Sequence, residues 1–89
     1  SGVSITYNSH VVEVNIITAN KTYPSGWNDL CEIPDDLLPQ FPIVFTGFDQ
    51  KTEQMIRYSI NVNSNKKLSV LIPAGITSMA CCGHVTCLI

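Results

Sequence analysis

Residues 10–17 and 55–62 alternate apolar and polar side chains, and this period of two constrains the chain more than any other feature. In the first run Val12, Val14 and Ile16 fall on one side, with Val11, Glu13, Asn15 and Ile17 on the other. In the second, Ile56, Tyr58, Ile60 and Val62 oppose Met55, Arg57, Ser59 and Asn61. Successive side chains of a strand point to opposite faces, so each run reads as a strand with one buried face.

Strand signals outweigh helix signals along the rest of the chain. Residues 4–7 read as a short extended segment closed by an Asn8-Ser9 turn. Residues 18–26 carry Asn20, Lys21, Pro24, Ser25 and Gly26 and read as a loop. A strand is expected over 27–33. Residues 34–42 hold Pro34, Pro39 and Pro42 with Asp35 and Asp36, which excludes a regular ladder strand and leaves room for one helical turn at 35–38. A strand over 43–48 leads into a polar hairpin loop over 49–54. The strand over 55–62 turns through 63–66 into a return strand over 68–72, broken by Pro73-Ala74-Gly75. Residues 76–82 fit either a loop or a weak strand, and Gly83 is expected to separate them from a last strand over 84–89. Seven or eight short strands at a spacing of about 8–12 residues predict an all-β fold, a compact antiparallel barrel or sandwich. No repeat, low-complexity tract or linker divides the chain, so 1–89 reads as a single domain. Ser1-Gly2 reads as the remnant of a cleaved tag or of a cut inside a longer protein. It is kept out of the fold argument, and the chain is expected to be a C-terminal piece of something larger.

Only 13% of the residues are charged, about half of the ~25% usual in a soluble domain. A domain of this size leaves a large share of its surface exposed, so apolar groups must stay outside with few charges between them. Patches of that kind mark a contact with a partner. The net charge is −2 and the pI about 5.4. No basic stripe supports nucleic-acid binding, and no apolar run approaches the ~18 residues of a membrane span.

Each candidate for chemistry has a plainer reading beside it. Cys81, Cys82, His84 and Cys87 are ligand types for zinc, but they crowd into one strand and its approach, where neighbours face opposite ways. No metal and no cofactor is expected. A thiol enzyme needs a base positioned by a third group, and neither His10 nor His84 sits in such a frame. Asp35-Asp36 lacks the facing geometry of a glycosidase pair and reads as solvated turn residues. Trp27 could stack on a sugar ring or pack in the core. Tyr58 lies on the apolar face of its strand and Arg57 on the other. Asp49 and Gln50 fall at a hairpin tip, where binding residues often lie.

The order of parts resembles a known family. A Val-Val-Glu-Val strand precedes Ser25-Gly26-Trp27, then a short strand ending in Ile33-Pro34, a proline-rich stretch to Pro42, and a strand. A hairpin then carries Ile60-Asn61-Val62-Asn63-Ser64-Asn65-Lys66, and the chain closes on Cys87-Leu88-Ile89. This resembles the head domains of receptor-binding proteins at the tail-fibre or baseplate tip of tailed bacteriophages that infect Gram-positive bacteria. It departs from that pattern in the hairpin turn, where Ser64 or Asn65 replaces the usual glycine, and in the Cys81-Cys82 pair. The resemblance implies a C-terminal head of a longer phage tail protein. It implies a β-barrel assembled as a homotrimer, with host cell-wall saccharide and other tail or baseplate proteins as partners, carried on the virion and made in the host cytoplasm. Reduced, free and buried cysteines are then expected. Nothing points to nucleic acid, membrane insertion or an enzyme. The alternatives are a structural trimerisation tip without a receptor role and a small cell-wall hydrolase. Saccharide contacts are expected among Asp49, Arg57, Trp27, Tyr58 and His84, with Asp49 and Arg57 foremost. Leu88 and Ile89 are expected at the trimer interface.

Overall fold

The computed structural model describes residues 2–8, 10–38, 42–60, 66–75 and 78–88. The alternating runs become strand over residues 11–17 and 55–60. The strands are β1 (Val3–Tyr7), β2 (Val11–Ile17), β3 (Lys21–Thr22), β4 (Gly26–Glu32), β5 (Ile43–Asp49), β6 (Met55–Ile60), β7 (Lys67–Ile72), β8 (Ser78–Met79) and β9 (Cys81–Leu88). A one-turn 3-10 helix at Asp35–Leu37 follows Pro34, as the proline stretch allows. The expected turn over 63–65, Val62, Ile76 and Ile89 lie outside the described residues.

Seven strands form one antiparallel sheet in the order β1-β2-β9-β5-β6-β7-β4, curled into a half-barrel. β3 and β8 pair separately as a two-residue ribbon, Lys21 opposite Met79 and Thr22 opposite Ser78. That ribbon lies in segments read as a loop and as a loop or weak strand, too short to leave a periodic signal.

The inner face holds the core. Val12, Val14 and Ile16 of β2, Ile56, Tyr58 and Ile60 of β6, and Leu68, Val70 and Ile72 of β7 are all buried there. These are the apolar sets that the period of two selects. Fully burying one such side chain is worth about 1.5–3 kcal/mol. Ile33 and Leu37 add to the core from the proline segment.

Gly83 does not break the last strand. β9 runs unbroken from Cys81 to Leu88, and a glycine is needed within it because a Cβ at position 83 would stand 2.8 Å from Cε2 of the Tyr58 ring. The glycine makes room for that ring beneath the sheet. Gly47 does the same from β5. A Cβ there would meet the Cys82 carbonyl oxygen and come within 2.7 Å of Tyr58 Cε2 and 2.9 Å of Gly83 Cα. The Tyr58 hydroxyl donates to the Cys82 carbonyl at 2.9 Å, and the ring stacks on Phe45 with centroids 5.2 Å apart. Tyr58 thus pins β9 to β5 where the two strands meet. Their ladder is short, Phe48 opposite Cys82 and Asp49 opposite Cys81. Beyond it the strands part and leave a groove on the outer face.

Candidate functional site

The ladder registers decide which side chains share the outer face. Across four strands one row runs Ile17, Cys82, Phe48, Met55. A second row runs Thr46, Arg57, Leu71, Trp27 across β5, β6, β7 and β4. Phe48 stands two residues beyond Thr46 on β5, so the rows adjoin. Beside them Asn15 opposes His84. The groove where β9 leaves β5 has a volume of about 410 Å³ and is lined by Asn15, Ile17, Thr46, Phe48, Cys82 and His84, among others. Ile17, Phe48, Met55 and Trp27 are all exposed on this face.

Three of the five expected saccharide-contacting residues lie on this outer face, and of these only His84 lines the groove. Arg57 is exposed in the middle of its row. Trp27 is 44% exposed and lies in register with Leu71 instead of packing into the core. His84 sits at the groove with its Nε2 3.4 Å from Glu13 Oε2. Asn15 Nδ2 donates to the other Glu13 oxygen at 3.1 Å. The Asn15 bond, and then His84, hold the Glu13 carboxyl below its ordinary range.

The other two are corrections. Tyr58 is 0% exposed, and burial, with the neighbouring Cys81 thiol, raises its phenol far above the ordinary range. It cannot touch a saccharide. Asp49 is not a hairpin-tip ligand either: it is 1% exposed. Its Oδ1 accepts the Ala80 amide at 3.0 Å and the Lys51 amide at 3.2 Å, and its Oδ2 accepts the Thr52 hydroxyl at 2.8 Å. Its own amide donates to the Gln54 carbonyl, and its carbonyl accepts the Glu53 amide. Burial alone would raise the carboxyl. The bonds from Ala80, Thr52 and Lys51, with the Lys51 charge, outweigh it and bring the group below its ordinary value. Asp49 therefore folds the 49–54 loop and ties it to the approach of β9. An aspartate at the head of a hairpin loop, followed by a hydroxyl at i+3, is the turn signal in the sequence that could have pointed to this role.

Phe48, Thr46, Asn15, Ile17 and Met55 were not among the expected saccharide contacts. All are on outward positions of strands read correctly. Pairing register, which no local pattern sets here, is what brings them together.

The four cysteines are free. Burial raises the thiols of Cys31, Cys81 and Cys87, the opposite of the activation a nucleophile needs. Among the described residues no group of three His, Cys, Asp or Glu side chains could hold a metal ion, and no helix is long and apolar enough to cross a membrane. A second hollow of about 280 Å³ opens between the start of β1 and β4, lined by Val3, Lys21, Tyr23 and Leu30, among others. The Lys21 ammonium lies 5.6 Å from the Tyr23 ring centre, and nearby Asn20 accepts from Ser78, so this hollow presents few uncommitted polar groups. No family model, curated protein or solved structure matches the chain.

Proposed function

We propose that this domain is the receptor-binding head of a phage tail fibre or baseplate, recognising host cell-surface saccharide without enzymatic action. The observation that carries the reading is the composition of the outer face. Exposed Phe48 and Ile17 stand beside the polar Thr46, Asn15 and His84 around one groove, and Met55, Arg57 and Trp27 continue the same exposed face beyond it. A sugar offers C–H faces that stack on rings and hydroxyls that need fixed donors and acceptors. A shallow open groove binds weakly, and several copies on one virion supply avidity.

We extend the reading to a homotrimer. Leu88 is 76% exposed on the single chain, next to Val11 on the same outer face, and a neighbouring copy would cover it. Other tail or baseplate proteins would hold the head on the virion.

The test is co-sedimentation of the domain with purified cell walls from a panel of Gram-positive bacteria. Retention on some walls, abolished by Phe48→Ala and Arg57→Ala in variants of unchanged melting temperature, supports the reading. Equal retention of parent and both variants removes this face from it. Release of reducing ends from the walls would favour a hydrolase instead.

A further inference from the structure

The two edges of the main sheet are built differently. β4, at one edge, is blunted. Its pairing slips at a bulge between Asp29 and Cys31, and it carries the acids Asp29 and Glu32. The Asn28 amide donates to the Pro24 and Gly26 carbonyls at 2.9 and 3.0 Å, so part of its edge is already satisfied. Bulges, charges and covering side chains are how natural sheets keep edges from pairing with another chain.

β1, at the other edge, has none of these among the described residues. Val3-Ser4-Ile5-Thr6-Tyr7 carries no charge and no proline, and its ladder with β2 runs without a register shift. Its free backbone groups follow from the register. The Ile17 amide donates to the Gly2 carbonyl and the Asn8 amide to the Val11 carbonyl. In an antiparallel ladder bonded residues alternate, so Gly2, Ser4, Thr6 and Asn8 bond to β2. The amides and carbonyls of Val3, Ile5 and Tyr7 then point away from the sheet. Tyr7 is also 65% exposed, although it pairs with the buried Val12.

We propose that β1 is an interaction edge whose partner is β1 of a second copy of this chain, joined antiparallel about Ile5. In that register Ile5 faces Ile5 of the partner subunit, and Val3 faces Tyr7 of the partner subunit. Every free backbone group of Val3, Ile5 and Tyr7 finds its complement, since each such pair exchanges both of its N–H···O bonds. The valine covers the exposed tyrosine. Ser4 falls opposite Thr6 of the partner subunit on the other face, and no charge meets a charge. The edge is self-complementary, which is what a two-fold contact between identical subunits requires. A two-fold contact joins copies in twos. It is independent of the three-fold association proposed above: heads that do not trimerise become dimers, and trimeric heads pair into hexamers.

The experiment joins light scattering to hydrogen exchange read amide by amide. At high protein concentration the mass should be two or six times that of the chain, and dilution should halve it. On association the amides of Val3, Ile5 and Tyr7 should slow by about tenfold or more, while those of Ser4 and Thr6, already bonded to β2, should change little. Proline at an edge position removes an outward amide without touching the β2 ladder. Ile5→Pro should therefore abolish the doubling, and Tyr7→Pro, at an exposed position near the strand end, should do the same with less disturbance to the fold. A parent that stays monomeric or trimeric at all concentrations overturns the proposal. So does a Tyr7→Pro variant that is folded and still doubles, or protection that fails to alternate along β1.

Discussion

Replacing Asp49 by alanine should destabilise the domain strongly while leaving the outer face intact. The carboxylate accepts two amides and one hydroxyl, and these acceptors vanish together. The Lys51 and Thr52 donors lie on an exposed loop and can turn to water. The Ala80 amide is in a buried residue and cannot. A buried donor left without a partner costs about 1–3 kcal/mol, and bonds to a charged group are worth about 1.5–3 kcal/mol each. Allowing for the two donors that water recovers, the loss should be about 2–4 kcal/mol. At about 4–8 °C per kcal/mol for a domain of this length, the melting temperature should fall by roughly 10–25 °C. The pH dependence has a definite sign. The folded pKa lies below the unfolded value of 3.8, so the contribution is fully present above 3.8 and is lost as the pH falls from there through the folded value. Thermal melts of parent and Asp49→Ala at pH 7 and in steps below pH 4 should show the gap narrowing with acid. A melting temperature at pH 7 within a degree or two of the parent would refute the structural role given to this carboxylate.

Other substitutions probe the same junction. Tyr58→Phe removes the hydroxyl bonded to the Cys82 carbonyl and should cost about 1 kcal/mol in denaturant unfolding. Gly47→Ala forces a Cβ against the Cys82 carbonyl and the Tyr58 ring and should cost about 1–3 kcal/mol or more, because backbone cannot rotate aside as a side-chain tip can. Leu88→Asp should lower the mass measured by light scattering if the trimer forms through that residue, and leave the unfolding free energy of the single chain within about 0.5 kcal/mol of the parent, as an exposed site implies. Under native conditions the buried Cys81 should react with a thiol reagent far more slowly than in denaturant. The unreduced protein should keep the mass of its fully reduced form.

The all-β fold was legible because alternation is a local signal. Val12, Val14 and Ile16, and Ile56, Tyr58 and Ile60, declare their buried face without reference to any other segment. The proline stretch announced its single turn for the same reason. What local pattern could not supply was depth and register. Asp49 reads as a solvated loop residue until Ala80, from a distant part of the chain, is placed against its carboxylate. Gly83 reads as a strand breaker until Tyr58 is seen beneath it. Trp27 and Arg57 belong to separate strands, and only the shared neighbour Leu71 sets them in one row. Phe48 was visible as a strand-end aromatic, and its place beside the groove followed from pairing with Cys82.

The central claim, that the outer face binds host saccharide, is tested most directly by nuclear magnetic resonance titration of the labelled domain with cell-wall oligosaccharide from a bacterium whose walls retain it. The account predicts that the signals that move, saturably and together, belong to Asn15, Thr46, Phe48, Arg57 and His84 and to the Trp27 indole. Tyr23, Lys21 and the loop around Asp49 should stay still. Shifts confined to the hollow beside Tyr23, or a spectrum unchanged at millimolar oligosaccharide, would contradict it.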